Sequence, residues 1–213
     1  MSLADAPRQR ILDAALQLFA EHGSEGTSLQ QVADRVGLHK STLFHHFKSK
    51  EELAQEVFRG LGERLLKRLE PILAEDPPRF ESLLDALDAS VEHFAQEPAA
   101  GRLLMRLMVT SRPVASEAPV ATPPGDADAI DRVLMGVGAW LARARGAGVI
   151  RHVPVRHTVI NLMGLVLFYP AVAHHIPAAV LRADPLSAEM LESRKRELRE
   201  FLKGALAPTA PGL

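Results

Sequence analysis

The sequence predicts an all-α protein of about nine helices in two parts, and three observations predict it. Apolar residues recur every three or four positions along most of the chain, and no run alternates apolar with polar as a half-buried strand does. Glycines and prolines punctuate those runs, among them Gly23, Gly37, Pro71, Pro77, Pro78, Pro98, Gly146 and Gly148. At 213 residues and 47% hydrophobic content, the chain can bury a sizeable core in one or two domains.

The first helix starts near Pro7, because proline is favoured at the first helical position, where a missing amide proton is no loss. Ile11, Ala15, Leu18 and Phe19 form its inner stripe before Gly23 ends it. A second, short helix shows in Leu29, Val32, Ala33 and Val36, which share one face. Thr27 and Ser28 offer hydroxyls to the free amides of its first turn, with Gln30 or Gln31 as the reciprocal partner. Gly37 stops it, since glycine adopts the left-handed conformation of a helix end at no steric cost. His39, Lys40, Ser41 and Thr42 open a third helix, from which only Leu43 and Phe47 face back. Two short helices about a glycine turn make a helix-turn-helix, and the outer face of its second helix is left for a partner.

That partner is expected to be double-stranded DNA. A helix-turn-helix sets the start of its second helix against base edges in the major groove, and small hydroxyls, an imidazole and a lysine stand there. No acidic residue occurs in 35–50, while Arg35, Lys40, Lys48 and Lys50 are cationic and His39, His45 and His46 can donate hydrogen bonds. This local bias outweighs the net charge of -1, because phosphate attraction acts within about 10 Å at moderate salt. The plainer reading is a solvated lysine-rich turn.

The run RILDAALQLFAEHG (10–23), Thr27-Ser28-Leu29, Val32-Ala33, Gly37 and LFHHFKSKEEL (43–53) together resemble the TetR family of bacterial transcriptional repressors. The resemblance covers 8–53; beyond it the chain is similar only in length and helical layout. It implies a DNA-binding domain over 8–68, including the start of a linking helix, and a helical ligand-binding and dimerisation domain over 69–207. It also implies that Lys40, Ser41, Thr42 and His45 meet base edges or adjacent phosphates, and that Ser28, Lys48 and Lys50 hold the DNA backbone. The family usually carries Tyr where this chain has Phe44, and that hydroxyl commonly touches a phosphate; here the contact is absent or replaced.

A long helix begins after Ser49, capped with Glu52 three residues on, and Leu53, Val57, Leu61, Leu65 and Leu69 repeat along it until Pro71 disturbs it. After Pro77-Pro78, the set Phe80, Leu83, Leu84, Leu87, Val91 and Phe94 traces a helix ending near Pro98. The next, over 99–111, has Leu103, Leu104, Leu107 and Met108 inside, with Arg102 and Arg106 on another side. The run 112–126 contains Pro113, Pro119, Pro123 and Pro124 and reads as an exposed loop. Ile130, Leu134, Val137 and Leu141 mark a helix over 126–145. A helix over 154–169 is apolar nearly all round and so is expected to be buried on several sides. The last helix, 184–206, turns Leu191, Leu198, Leu202 and Leu206 one way.

A single recognition helix buries too little for tight binding, so a homodimer on a palindromic operator is expected. Its interface is expected on the last two helices, through Gly164, Leu191, Leu198 and Leu202, a pair resembling the family's four-helix seam. Phe94, Leu104, Met105, Met108, Trp140, Leu165 and Phe168 are large apolar side chains on several helices, which form either plain core or an apolar cavity. In the second case Asn161 or Tyr169 orients a small hydrophobic effector, and the resemblance favours that case.

Other classes find less support. With no cysteine there are no disulfides or thiolate metal sites, and a reducing compartment suits the chain. The paired and single histidines lack the spacing of a metal site, and no glycine-flanked serine elbow is present, so no catalytic residue, metal or cofactor is expected. An all-helical enzyme, or an adaptor whose helix-turn-helix face binds protein, are the alternatives. Gly146-Ala147-Gly148 superficially resembles a nucleotide-binding loop, yet no strand precedes it. Residues 1–10 lack the apolar run of a signal peptide, and 162–173 falls short of the roughly 20 residues of a membrane span, so a cytoplasmic location is expected.

Overall fold

A computed structural model describes residues 5–110, 127–176, 180 and 183–208. Among these residues there are nine α-helices and no strand: α1 (Asp5–His22), α2 (Leu29–Val36), α3 (Lys40–His46), α4 (Lys50–Leu73), α5 (Phe80–Gln96), α6 (Pro98–Thr110), α7 (Ala127–Gly146), α8 (Val155–Val172) and α9 (Ala188–Leu206). A 3-10 turn, Ala173–His175, follows α8. The expected loop at 112–126 lies outside the described residues.

The N-terminal helices fold by local rules. Gln31 N donates to Ser28 Oγ at 3.2 Å while Ser28 N donates to Gln31 Oε1 at 2.7 Å, so the box closes with Gln31 rather than Gln30. Gly37, at φ 69°, ends α2 in the left-handed conformation. Thr27 is buried and caps nothing; its hydroxyl donates to Gly23 O at 2.8 Å, tying α2 to the end of α1. Ile11, Ala15, Phe19, Val32, Ala33, Leu43 and Phe47 make a closed core, each fully buried.

Two helices run on past an expected stop. Pro71 lies inside α4 and Pro170 inside α8, each two residues before the last helical position, where the lost amide bond costs one interaction and the next amides still find their carbonyls. At the other end of the chain, α9 starts at Ala188 because Ser187, not Asp184, accepts the first-turn amide, from Met190 at 3.4 Å.

The second layer is built on α4, which packs most extensively against α7 and then α5, while α6 packs against both α8 and α1. At Gly62 the crossing of α4 with α7 is close: a Cβ there would stand 2.7 Å from Ala129 Cβ. Arg143 of α7 donates to Leu73 O at 2.7 Å and caps the end of α4. Across the molecule, Arg199 of α9 meets Asp88 at 2.7 Å and Asp85 at 2.9 Å, and Lys195 meets Glu92 at 2.8 Å, so α9 is clasped along α5.

Candidate nucleic-acid interface and ligand cavity

α3 turns Leu43 inward and leaves Lys40, Ser41, Thr42, Phe44 and His45 exposed, with Lys48 exposed beyond its end. Lys50, half-buried, is the first residue of α4. The turn between them is rigid: Glu52 N donates to Ser49 Oγ at 3.1 Å, and Lys48 N donates to Glu52 Oε2 at 2.6 Å. Neither Lys40 nor Lys48 forms an ion pair among the described residues, so both ammonium groups are available to phosphates. Ser28 is exposed, but its hydroxyl is already engaged in the capping box with Gln31, so it reaches a phosphate only by sharing that bond.

Behind this face the helices are braced by cations. Arg10 donates to Val36 O at 2.8 Å, fixing the end of α2. Arg8 and Arg59 both donate to Glu56 of α4, and Arg8 lies 5.0 Å from the centre of the Phe47 ring. Burial alone would raise the Glu56 carboxyl, but the hydrogen bonds from Arg59 and Arg8 outweigh it and hold it below its usual value. From the other side, Arg106 of α6 donates to the carbonyls of Glu21 and His22 at 3.5 and 3.3 Å, at the C-terminal end of α1.

The second candidate is a cavity of about 110 Å³ among α4 to α8. α4 contributes Leu61, Leu65 and Leu69, and α5 contributes Leu83, Leu87 and Phe94. Leu104 and Met108 of α6, Ile130 and Val133 of α7, and Val159, Leu162 and Val166 of α8 close it. Ser90 is the single side chain in the lining that carries a hydroxyl, and it donates to Ala86 O at 2.7 Å, so no charge or free donor faces the space.

Of the nine expected lining residues, the cavity contains Phe94, Leu104 and Met108; the other six lie elsewhere. Trp140, on α7, is fully buried in the core, and Met105 packs against the core from outside the lining. Asn161 and Phe168 point outward, Phe168 with 56% of its surface exposed. Leu165 and Tyr169 border a small crevice in which Tyr169 Oη donates to Pro185 O at 2.9 Å and Arg194 lies 5.1 Å over the Tyr169 ring. For Asn161, Leu165, Phe168 and Tyr169 the physical reason is α8 itself: a helix apolar on all sides carries no mark of its inner face. The four-residue spacing of Leu61, Leu65 and Leu69 marks a buried face of α4, but local periodicity does not say that a cavity lies against it.

α8 is also not buried on several sides within one chain. Its outer face exposes Ile160 (63%), Gly164 and Phe168, and Phe201 of α9 (58%) lines a groove with Ile160 and Gly164. Leu198 and Leu202, expected at the seam, are instead turned the other way, into the core of the protomer; Leu191 is half-buried at the crevice with Tyr169. Among the described residues, α8 is the one helix long and apolar enough to cross a membrane, with a mean hydropathy of 1.3.

Residues 11–57 match the family model described as bacterial regulatory proteins, tetR family. The HTH-type transcriptional repressor KstR2 of Mycolicibacterium smegmatis is 35% identical over 85 residues, 40% of this chain and 42% of that protein, so the match spans under half of the relative's length. The structure of the ketosteroid transcriptional regulator KstR2 of Mycobacterium tuberculosis aligns with a TM-score of 0.71 at 20% identity, covering 95% of this chain and 96% of that one. AibR, in complex with isovaleryl coenzyme A and operator DNA, aligns with a TM-score of 0.69 at 16% identity over 91% of this chain and 96% of that one. These two likenesses establish the fold of the whole chain, helix-turn-helix and helical C-terminal domain alike. Residues 11–57, the helix-turn-helix segment, are thus those of the tetR family of bacterial regulatory proteins.

Proposed function

We propose that the chain is a ligand-responsive transcriptional repressor that binds a palindromic operator as a homodimer in the bacterial cytoplasm and is released by a compact, uncharged hydrophobic molecule. The observation that carries this reading is that α4 serves both sites: it starts at Lys50, directly behind the recognition helix, and lines the cavity from Leu61 onward. Support comes as well from the relative named as a repressor and from the structural neighbour that holds an acyl coenzyme A and operator DNA together. On this reading 8–68 is the DNA-binding domain and 69–207 the ligand-binding and dimerisation domain. Lys40, Ser41, Thr42 and His45 meet base edges or adjacent phosphates, Lys48 and Lys50 hold the backbone, and the exposed face of α8 with Phe201 forms the seam.

The cavity sets the chemistry of the effector. A lining with no charge and one committed hydroxyl desolvates a carboxylate or phosphate without compensation, so only an uncharged body enters. About 110 Å³ is well below the roughly 300–1,000 Å³ of a drug-sized site, so a ligand of that size must push a wall aside. Leu61 is eleven residues beyond Lys50, about 17 Å along the helix, so a wall displaced at Leu65 or Leu69 tilts α4 and carries the recognition helix with it. Two recognition helices set for successive major grooves, about 34 Å apart, then lose their match. Arg106 gives α6 a second hold on the DNA-binding half, at the end of α1.

Selection of bound fragments from random duplex DNA tests the reading. A palindromic site is expected, with Lys50→Ala weakening all sequences alike and lowering the salt slope by about 1 per phosphate contact, and Thr42→Ala changing base preference. Enrichment of no DNA by the intact protein overturns it.

A further inference from the structure

Phe44 is the one large apolar side chain exposed in the described residues before α6, with 42% of its surface open. Lys40 Nζ lies 5.6 Å from the centre of its ring, one helical turn away on the same side of α3. We propose that Lys40 and Phe44 act as one unit, a phosphate clamp in which the ring holds the ammonium in place before DNA arrives; this rests on the DNA-binding reading above.

A hydrocarbon ring has no donor for a phosphate, so Phe44 cannot make the contact itself. Its negative face does attract a cation, and lysine, a point charge on a flexible four-carbon stem, has more to gain from being held than a rigid side chain does. Holding Nζ over the ring removes part of the rotamer freedom that a phosphate contact would otherwise have to remove. Nothing competes for Lys40: it forms no ion pair among the described residues, and 35–50 contains no carboxylate. The placement suits the backbone rather than the bases. With Leu43 and Phe47 fully buried, Ser41 and His45 lie opposite them at the centre of the outer face, and Lys40 and Phe44 lie on its flank, which runs beside a phosphate strand when α3 is in the major groove.

The test is a double-mutant cycle on an operator selected by the full chain, with affinity measured across a range of salt concentrations for wild type, Phe44→Leu, Phe44→Trp, Lys40→Ala and the Lys40→Ala/Phe44→Leu pair. Phe44→Leu is expected to weaken binding about two- to fivefold per protomer, and Phe44→Trp, which keeps a ring face, to recover that loss. In the Lys40→Ala background Phe44→Leu is expected to cost nothing more, and Lys40→Ala itself to lower the salt slope by about 1 per protomer. Equal loss from Phe44→Leu with or without Lys40 overturns the clamp and makes the ring a direct DNA contact, as does a failure of Phe44→Trp to recover affinity. If no DNA is selected at all, the DNA-binding reading falls first and the clamp with it.

Discussion

Between Ser28 and Glu52 the starts of α2 and α4 are closed by bonds between residues three or four positions apart, whereas α5, a wall of the cavity, is held by a partner as remote as Arg199, which meets Asp88 from 111 residues away. The first region is therefore rigid on its own terms: its caps hold whether or not the rest of the chain moves. The second takes its shape from how five helices settle against each other, and a change in what fills the space between them changes their placement. The proposed function draws on that division, since it calls for a fixed reading head carried by a wall that can be displaced.

The largest expected effect separates the two faces of the C-terminal helices. Leu198→Asp places a carboxylate at a site only 2% exposed, where an uncompensated charge costs about 3–5 kcal/mol, and is expected to abolish the melting transition of the folded protein. Phe168→Asp, on the open face of α8, is expected to leave the melting temperature within a few degrees while converting the dimer to monomer in sedimentation. A Phe168→Asp protein that stays dimeric puts the seam elsewhere.

Filling the cavity comes next. Leu65→Trp drives a larger side chain into about 110 Å³ of apolar space and is expected to destabilise the fold by about 1–3 kcal/mol and to block the binding of neutral hydrophobes seen by calorimetry with wild type. Undiminished binding to this variant removes the cavity as the ligand site.

The smallest effect concerns His93, 1% exposed, whose Nε2 has no hydrogen-bond partner. Burial lowers its pKa; Glu97 opposes the shift while Arg68 and Arg64 add to it. The unfolded chain takes up a proton at His93 near pH 6.5 and the folded chain only at lower pH, so stability falls as pH drops below about 6.5 and levels off beneath the folded-state pKa. The melting temperature is expected to fall between pH 7.5 and 5.5, and by less in His93→Leu. An identical fall in both proteins assigns the effect to other groups.

The same division explains what could be read in advance. Ser28, Gly37, Leu43, Phe47 and Ser49 announce their roles because capping and i, i+4 packing act between near neighbours. For Trp140 and Phe168 size and hydrophobicity say only that a side chain seeks cover. Whether cover comes from core, ligand or a second chain depends on the packing of remote helices. α8 shows this most clearly, since Val159 and Val166 face the cavity and Ile160 and Phe168 face outward, from one apolar run. The periodicity of Leu198 and Leu202 likewise marks a buried face without naming what buries it.

The coupling through α4 is tested most directly by calorimetric titration of wild-type protein, free and saturated with its selected operator, with the tightest binder from a graded panel of neutral apolar compounds from benzene upward. Because coupling is reciprocal, operator is expected to weaken that compound's binding by the same factor by which the compound weakens operator binding, typically about 5- to 150-fold. Two superimposable binding curves from a compound that binds in the cavity would contradict the account.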